Sequence, residues 1–246
     1  MIPKIIHYCW FSGEKKPRLI RRCIRSWKKI LPEYEIRCWD ANSFDFDSVP
    51  YVKEAFRLKK WAFVSDYVRF YALYKYGGIY LDTDVEVRKR LDSFLDTDFF
   101  CGTEVFRNGT YVGINPDAAQ LGSCAGNPIL KDCMNYYENH EFIIPEEGIA
   151  HIVTSPILLG KVLTKYGYLY KDEHQVLENN ITIYPNSVLS HVYTPSKDKS
   201  YTVHYFENSW IRDKQRGRFF RFCQKHSMMW LYSNMEKFIG KMRNKH

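Results

Sequence analysis

Nothing in the 246-residue sequence contains a run of 18 or more apolar residues, so no segment reads as a helix that spans a membrane. The opening MIPKIIHYCWFSG holds one lysine and a short apolar run broken by His7, which does not match a signal peptide. No CxxC spacing occurs, and the seven cysteines (Cys9, Cys23, Cys38, Cys101, Cys124, Cys133, Cys223) are odd in number. That argues against a disulfide framework and a zinc cluster, and fits free thiols in a reducing cytosol. Glycine (13) and proline (10) are too few for a collagenous or low-complexity chain. Neither a GxGxxG nor a Walker pattern follows Gly77-Gly78, so that pair serves geometry rather than phosphate binding.

What is present is globular in composition: 45% hydrophobic, 26% charged and 17% aromatic. Aromatics at that level fill cores and also line sugar-binding surfaces. The net charge of +8 sits entirely in residues 211–246, while the first 210 residues carry 26 charges of each sign. With no repeat or linker, one α/β domain over 1–210 and a basic, aromatic, helical tail over 211–246 are expected. The tail alternates Arg212, Lys214, Arg216, Arg218 and Arg221 with Phe219, Phe220 and Phe222. Such a mixture suits an anionic membrane surface, with peripheral attachment to the inner face of the membrane, or a helix packed on the domain.

Periodicity outlines the domain. Ile2–Trp10 reads as a buried strand, a helix opens at Pro17 and runs past Trp27, and Glu35–Trp39 is a second strand. Strand, helix, strand implies a right-handed βαβ unit and a parallel sheet. Residues 43–50 are turn-rich; a long helix follows from Trp61 to Tyr76, closed by Gly77-Gly78. Its aromatics (Trp61, Phe63, Phe70, Tyr71, Tyr74) read as packing. Ile79-Tyr80-Leu81 is a short strand, with further strands near Val85–Val87, Phe99–Thr103, Gln120–Cys124, Ile181–Tyr184 and Tyr201–Tyr205. Helices are expected near Pro128–Asn139, Pro156–Tyr166 and Asp213–Met242.

The chemistry concentrates in Gly77-Gly78-Ile79-Tyr80-Leu81-Asp82-Thr83-Asp84. In an extended chain Asp82 and Asp84 face one way, about 6–7 Å apart. Like charges at that spacing repel and are stabilised by water or a cation, and carboxylates with open coordination positions suit Mg²⁺ or Mn²⁺ holding a phosphate. A strand delivers them to the rim of a sheet, where open α/β folds bind ligands. Asp66 and Arg69, one helical turn apart, form either a surface ion pair or part of the same site. The helix climbs about 15 Å from Asp66 to Tyr76. The strand returns about 13 Å, so a reversal at Gly77-Gly78 brings all four residues level.

The block WAFVSDYVRFYALYKYGGIYLDTDVE, with IPKIIHYCW before it and HYFENSW after it, resembles the DXD-containing glycosyltransferases of family GT32. Capsule-synthesis members and Och1-type mannosyltransferases belong to that family, and the clostridial glucosylating toxins are more distantly similar. The resemblance implies a GT-A-type, Rossmann-like fold with a mixed central sheet. It also implies transfer of a hexose from a nucleotide sugar with retention of configuration. On it, Asp82 and Asp84 are the DXD pair and metal ligands for Mn²⁺ or Mg²⁺, and His204 is a third ligand. Asp66 and Arg69 contact donor sugar hydroxyls and the diphosphate, Trp10 stacks near the base, and Ser209 and Trp210 lie against the diphosphate. Thr154-Ser155-Pro156 departs from the family's Thr-Gly-Pro on the acceptor side. His7 reads as structural, and His151 and His191 carry no motif. The expected donors are UDP-galactose, UDP-glucose or GDP-mannose. The expected acceptor is a glycan or an undecaprenyl-linked oligosaccharide of bacterial capsule or cell-surface polysaccharide, met at a cytoplasmic site. No nucleic-acid partner is expected.

Three rivals compete. A haloacid-dehalogenase-type phosphatase also places Asp-x-Asp after a strand, but its signature has Thr or Val where this chain has Glu86. A glycoside hydrolase needs two carboxylates on separate strands and no metal. A nucleic-acid-binding role for the tail leaves the neutral body unexplained.

Overall fold

The computed structural model describes residues 1–108, 111–144, 152–189 and 200–206. Ser209, Trp210, His151, His191 and the 211–246 tail lie outside these. Five helices and nine strands fall within the described residues, in the order β1 (Ile5–Cys9), α1 (Arg18–Ile30), β2 (Glu35–Trp39), α2 (Pro50–Arg57), α3 (Trp61–Tyr76), β3 (Gly78–Leu81) and β4 (Val85–Val87). They continue as β5 (Phe99–Asn108), β6 (Tyr111–Ser123), α4 (Pro128–Glu138), α5 (Ser155–Leu163), β7 (Gln175–Leu177), β8 (Ile181–Tyr184) and β9 (Thr202–His204).

A seven-stranded mixed sheet runs β2-β1-β3-β6-β5-β8-β7, and β4 pairs with β9 in a separate ribbon. The first three strands are parallel. β3 meets β6 antiparallel, and β5 meets β8 in parallel. This is the α/β arrangement with a mixed central sheet that the GT-A resemblance implies.

Alternation along the strands sorts side chains into two cores. Ile6, Tyr8, Ile79 and Leu81 join the core containing Trp27 of α1, whereas Cys9 and Tyr80 join the core of α2, α3, α4 and α5. α1 and α3 therefore cover opposite faces. The chain moves from β1 outward to β2 by way of α1, then returns across β1 by way of α3 to reach β3. The order of strands reverses there, and beyond the carboxyl ends of β1 and β3 lies the position where open α/β folds bind ligands.

α3 is enclosed on nearly every side, from Phe63 through Leu73. A helix apolar all round belongs in an interior, and each fully buried aromatic such as Phe63 or Phe70 contributes roughly 1.5–3 kcal/mol. Gly77 ends it with φ +64°, and Gly78 follows at φ +110°. A Cβ at Gly78 would stand 2.6 Å from the carbonyl oxygen of Ile5, so only glycine lets β3 lie this close to β1. His7 clasps the bend: its Nε2 meets the Gly77 carbonyl at 2.9 Å, and Trp39 Nε1 donates to its Nδ1 at 3.1 Å.

Two elements went unread in the sequence. α2 follows the turn-rich 43–50 segment, with Pro50 in its first turn, and β7 is a short three-residue strand. β6 begins nine residues before the expected strand at Gln120, because pairing with β5 overrides the local signals of Gly113 and Pro116.

Candidate active site

β3 stops at Leu81, and Asp82, Thr83 and Asp84 form a turn closed by Val85 N–H to the Asp82 carbonyl at 3.0 Å. The expectation of two carboxylates on one face of a strand is thus corrected: the acidic pair bends around a turn between β3 and β4. The turn lies at the carboxyl end of β3, beside β1. Continuing the β1–β3 register places Cys9 and Trp10 alongside it. Trp10 is half-buried, with Nε1 donating to the Glu14 carbonyl at 2.9 Å and Lys16 Nζ 5.1 Å from the ring centre.

The reversal at Gly77-Gly78 brings α3 and the turn together, as the path lengths implied. Arg69 Nη2 lies 2.9 Å from Asp66 Oδ1 and 3.6 Å from Asp82 Oδ1. The surface ion-pair reading of Asp66 and Arg69 fails, since their side chains are only 9% and 6% exposed. Every guanidinium nitrogen has a protein partner: Nε donates to the Ser65 carbonyl (3.1 Å), Nη1 to the Ala118 carbonyl (2.7 Å) and Nη2 to Ser65 Oγ (3.2 Å). The guanidinium also sits 4.7 Å from the Tyr80 ring centre. Burial opposes its charge, but Tyr80, Asp82 and Asp66 outweigh burial and hold it protonated. Asp66 accepts a 2.6 Å bond from Ser155 Oγ, and burial raises its pKa against the pull of Arg69. Ser155, noted in sequence for departing from the family pattern, thus braces Asp66.

Asp82 receives Tyr80 Oη–H at 2.8 Å on Oδ1, and its backbone N–H donates to the Ala119 carbonyl at 2.7 Å. Burial raises its pKa, Arg69 lowers it and Asp84 raises it again. His204, at the end of β9, places Nε2 3.4 Å from Asp84 Oδ1. Burial would lower its pKa, but Asp84 outweighs that, with help from Asp117 and Asp82, and lifts it to about 9. One ligand atom from each of Asp82, Asp84 and His204 can be chosen so that all lie within 4.8 Å of one another. His204 Nδ1 is buried with no hydrogen-bond partner among the described residues, an orphan that a cation or a further ligand group could satisfy. Two carboxylates and an imidazole fit a divalent ion, and the mixed oxygen and nitrogen set suits Mn²⁺ better than Mg²⁺.

Sequence reasoning missed four neighbours. Tyr80 lies two residues before Asp82 on the same face, a spacing that could have marked it. Asp117 and Gln120 enter through a bulge in β6 that no local pattern announces. Glu104, on β5, has its carboxyl pushed up to about 7 by burial and by Asp117, against the pull of His204.

Residues 17–101 match the protein family described as glycosyltransferase sugar-binding region containing DXD motif. Inositol phosphoceramide mannosyltransferase 3 of Schizosaccharomyces pombe is 34% identical over 110 residues, covering 38% of this chain and 27% of its own. An uncharacterized glycosyltransferase, L373, of Acanthamoeba polyphaga mimivirus is 34% identical over 139 residues, 53% of each chain. Mannosyl phosphorylinositol ceramide synthase CSH1 of Saccharomyces cerevisiae is 26% identical over 177 residues, 68% of this chain and 43% of its own. The chain spans about a quarter to a half of the length of these relatives. Among solved structures, PaToxG glycosyltransferase aligns with a TM-score of 0.47 at 19% identity over 67% of this chain and 68% of that one. The matched residues 17–101 include the Gly77–Asp84 motif, Asp66 and Arg69. Among the described residues, no helix is long and apolar enough to cross a membrane.

Proposed function

We propose that this protein is a metal-dependent, retaining glycosyltransferase that moves a hexose from a nucleotide sugar to a glycan or glycolipid acceptor. One observation carries the reading. Asp82, Asp84 and His204 converge, beside the enclosed Arg69, at the switch point of the sheet where nucleotides bind in open α/β folds.

Asp82, Asp84 and His204 would hold Mn²⁺ or Mg²⁺. The ion, when bound, neutralises charge gathering on the departing nucleoside diphosphate. Arg69 adds a fixed positive potential beneath the site, held in place by Asp66, Ser65 and Ala118, so no reorganisation is needed as charge develops. Tyr80 orients Asp82 through its hydroxyl. Trp10 offers an aromatic face at the same rim for the base, and Ser209 and Trp210 would complete the diphosphate side. Transfer takes place on one face of the sugar. The anomeric carbon–phosphate oxygen bond breaks as the acceptor oxygen bonds to carbon, and the acceptor proton passes to the departing phosphate oxygen. A trapped covalent glycosyl-enzyme would refute this mechanism.

The names of the yeast relatives favour mannose, hence GDP-mannose over UDP-galactose or UDP-glucose, and a phosphoinositol-bearing lipid alongside lipid-linked oligosaccharides of capsule synthesis as acceptor classes. A lipid acceptor agrees with the basic, aromatic 211–246 segment acting at the inner membrane surface. Thermal unfolding and sugar release with each nucleotide sugar in Mn²⁺ test the reading. One donor should raise the melting temperature and be consumed only with metal present. No stabilisation and no transfer with any of the three, in Mn²⁺ or Mg²⁺, would overturn it.

A further inference from the structure

Gln120 is a wholly enclosed amide, 1% exposed, next to the acidic turn. Its surroundings are built around an irregularity of the sheet. In the β5–β6 ladder Cys101 faces Leu121, but Gly102 faces Asp117, so Ala118, Ala119 and Gln120 bulge from β6 without partners on β5. The bulge turns two carbonyls toward the site: Ala118 O receives Arg69 Nη1, and Ala119 O receives the Asp82 N–H, both at 2.7 Å. Asp117 shapes it, with Oδ1 accepting from Ala119 N–H at 2.8 Å and Oδ2 accepting from Gln120 Nε2 at 2.9 Å. On its other side, Gln120 Oε1 accepts from Thr202 Oγ1 at 2.5 Å. Thr202 lies two residues before His204 on β9, and so shares its face of the strand.

The amide therefore ties the bulge that holds Asp82 to the strand that holds His204. These belong to different sheets, and the spacing between their ligand atoms depends on how the two sheets are held together. The β4–β9 ladder already joins Asp84 to His204, with Val85 opposite His204 and Tyr205 N–H donating to the Asp84 carbonyl at 3.1 Å. We propose that Gln120 is a positioning residue that sets the distance between Asp82 and the Asp84–His204 pair, and with it the affinity of the site for a divalent cation. The inference rests on the reading of those three residues as the cation site.

Mn²⁺ affinity, measured by titration calorimetry or paramagnetic resonance without any sugar nucleotide, tests it. Thr202→Val keeps the shape and removes the hydroxyl that reaches Gln120; Gln120→Leu removes both bonds of the amide. Each should weaken Mn²⁺ binding about 10–100-fold, the range typical of groups that orient metal ligands. The paired exchange Asp117→Asn with Gln120→Glu reverses the donor and acceptor of the middle bond. It also leaves acceptors for Ala119 N–H and Thr202 Oγ1 and conserves net charge. It should restore affinity to within about threefold, which a purely structural role for the amide does not require. Wild-type affinity in the folded Thr202→Val protein would overturn the proposal, as would a folded exchange variant that binds as weakly as Gln120→Leu. Asp84→Ala separates the two readings: lost binding upholds the cation site independently of Gln120, whereas unchanged binding removes the site and this proposal together.

Discussion

His7 and His204 are both enclosed imidazoles, 0% and 8% exposed, yet in the metal-free protein their pKa values move in opposite directions. His7 sits among Trp39, Tyr76 and the Gly77 carbonyl. Burial pulls its pKa down to about 4, leaving a neutral ring that accepts from Trp39 and donates to Gly77. His204 is as poorly solvated, but Asp84, Asp117 and Asp82 surround it and hold it at about 9. Burial decides the outcome at His7, whereas at His204 the neighbouring carboxylates outweigh it. One histidine locks the glycine bend that aims β3, and the other marks where negative charge accumulates beyond what the protein's own cations offset.

Removing a carboxylate from the second cluster should have the largest effect. Asp84→Ala is expected to cut sugar transfer on the order of 10²–10³-fold or more, the scale of losing a key electrostatic group. It should leave the fold intact but lower metal-free thermal stability, because losing the enclosed ion pair with His204 outweighs the relief of repulsion with Asp82. Full activity in this variant would erase the distinction between the two histidine sites.

Acid sharpens the comparison next. The unfolded imidazole of His7 takes a proton near its ordinary 6.5, while the folded one resists until about 4. The stability it contributes is present above 6.5 and is lost as pH falls toward 4. At about 1.4 kcal/mol per unit, that is roughly 3 kcal/mol. His204 acts in the opposite sense. In chelator-treated protein its contribution is complete below 6.5 and disappears as pH rises through about 9. Urea unfolding of wild type and His7→Gln from pH 4 to 9 checks both. The variant should lose the acid slope and keep the alkaline one; an acid slope unchanged by the substitution would show that His7 is not the neutral group inferred.

The smallest effect belongs to the exposed cluster of Lys4, Glu33, Arg90 and Asp92. There two cations meet two carboxylates, with Arg90 Nη2 on Glu33 and Lys4 Nζ 2.7 Å from Asp92. The charges balance and water screens them, so Arg90→Ala should change stability by less than about 1 kcal/mol and leave transfer untouched. A larger change would mean that surface pairs in this protein matter as much as those around Asp82.

How far these features were legible depended on whether their cause was local. The long aromatic helix, the glycine stop and the short strand before Asp82 are written in a continuous stretch, and so is the one-turn spacing of Asp66 and Arg69. His7 as a structural residue and His204 as a partner of the acidic pair also came from the sequence, the second through family resemblance. The β6 bulge did not, since a strand interrupted by Gly113 and Pro116 is held extended by its neighbours. Nor did the saturation of Arg69, whose bond to Ala118 spans 49 positions, or the tether from Gln120 to Thr202, which spans 82.

By itself the sequence determined the helix, the short strand and the glycine bend that bring Asp66, Arg69, Asp82 and Asp84 toward one rim, because helix and strand periodicities and the freedom of glycine act over a few residues. The tertiary structure alone decided that Asp82 and Asp84 curve around a turn, that Arg69 is fully engaged and that carboxylates raise the pKa of the metal-free His204. Those outcomes depend on which distant groups share a desolvated space, and desolvation and charge pairing arise only once the chain has closed around them.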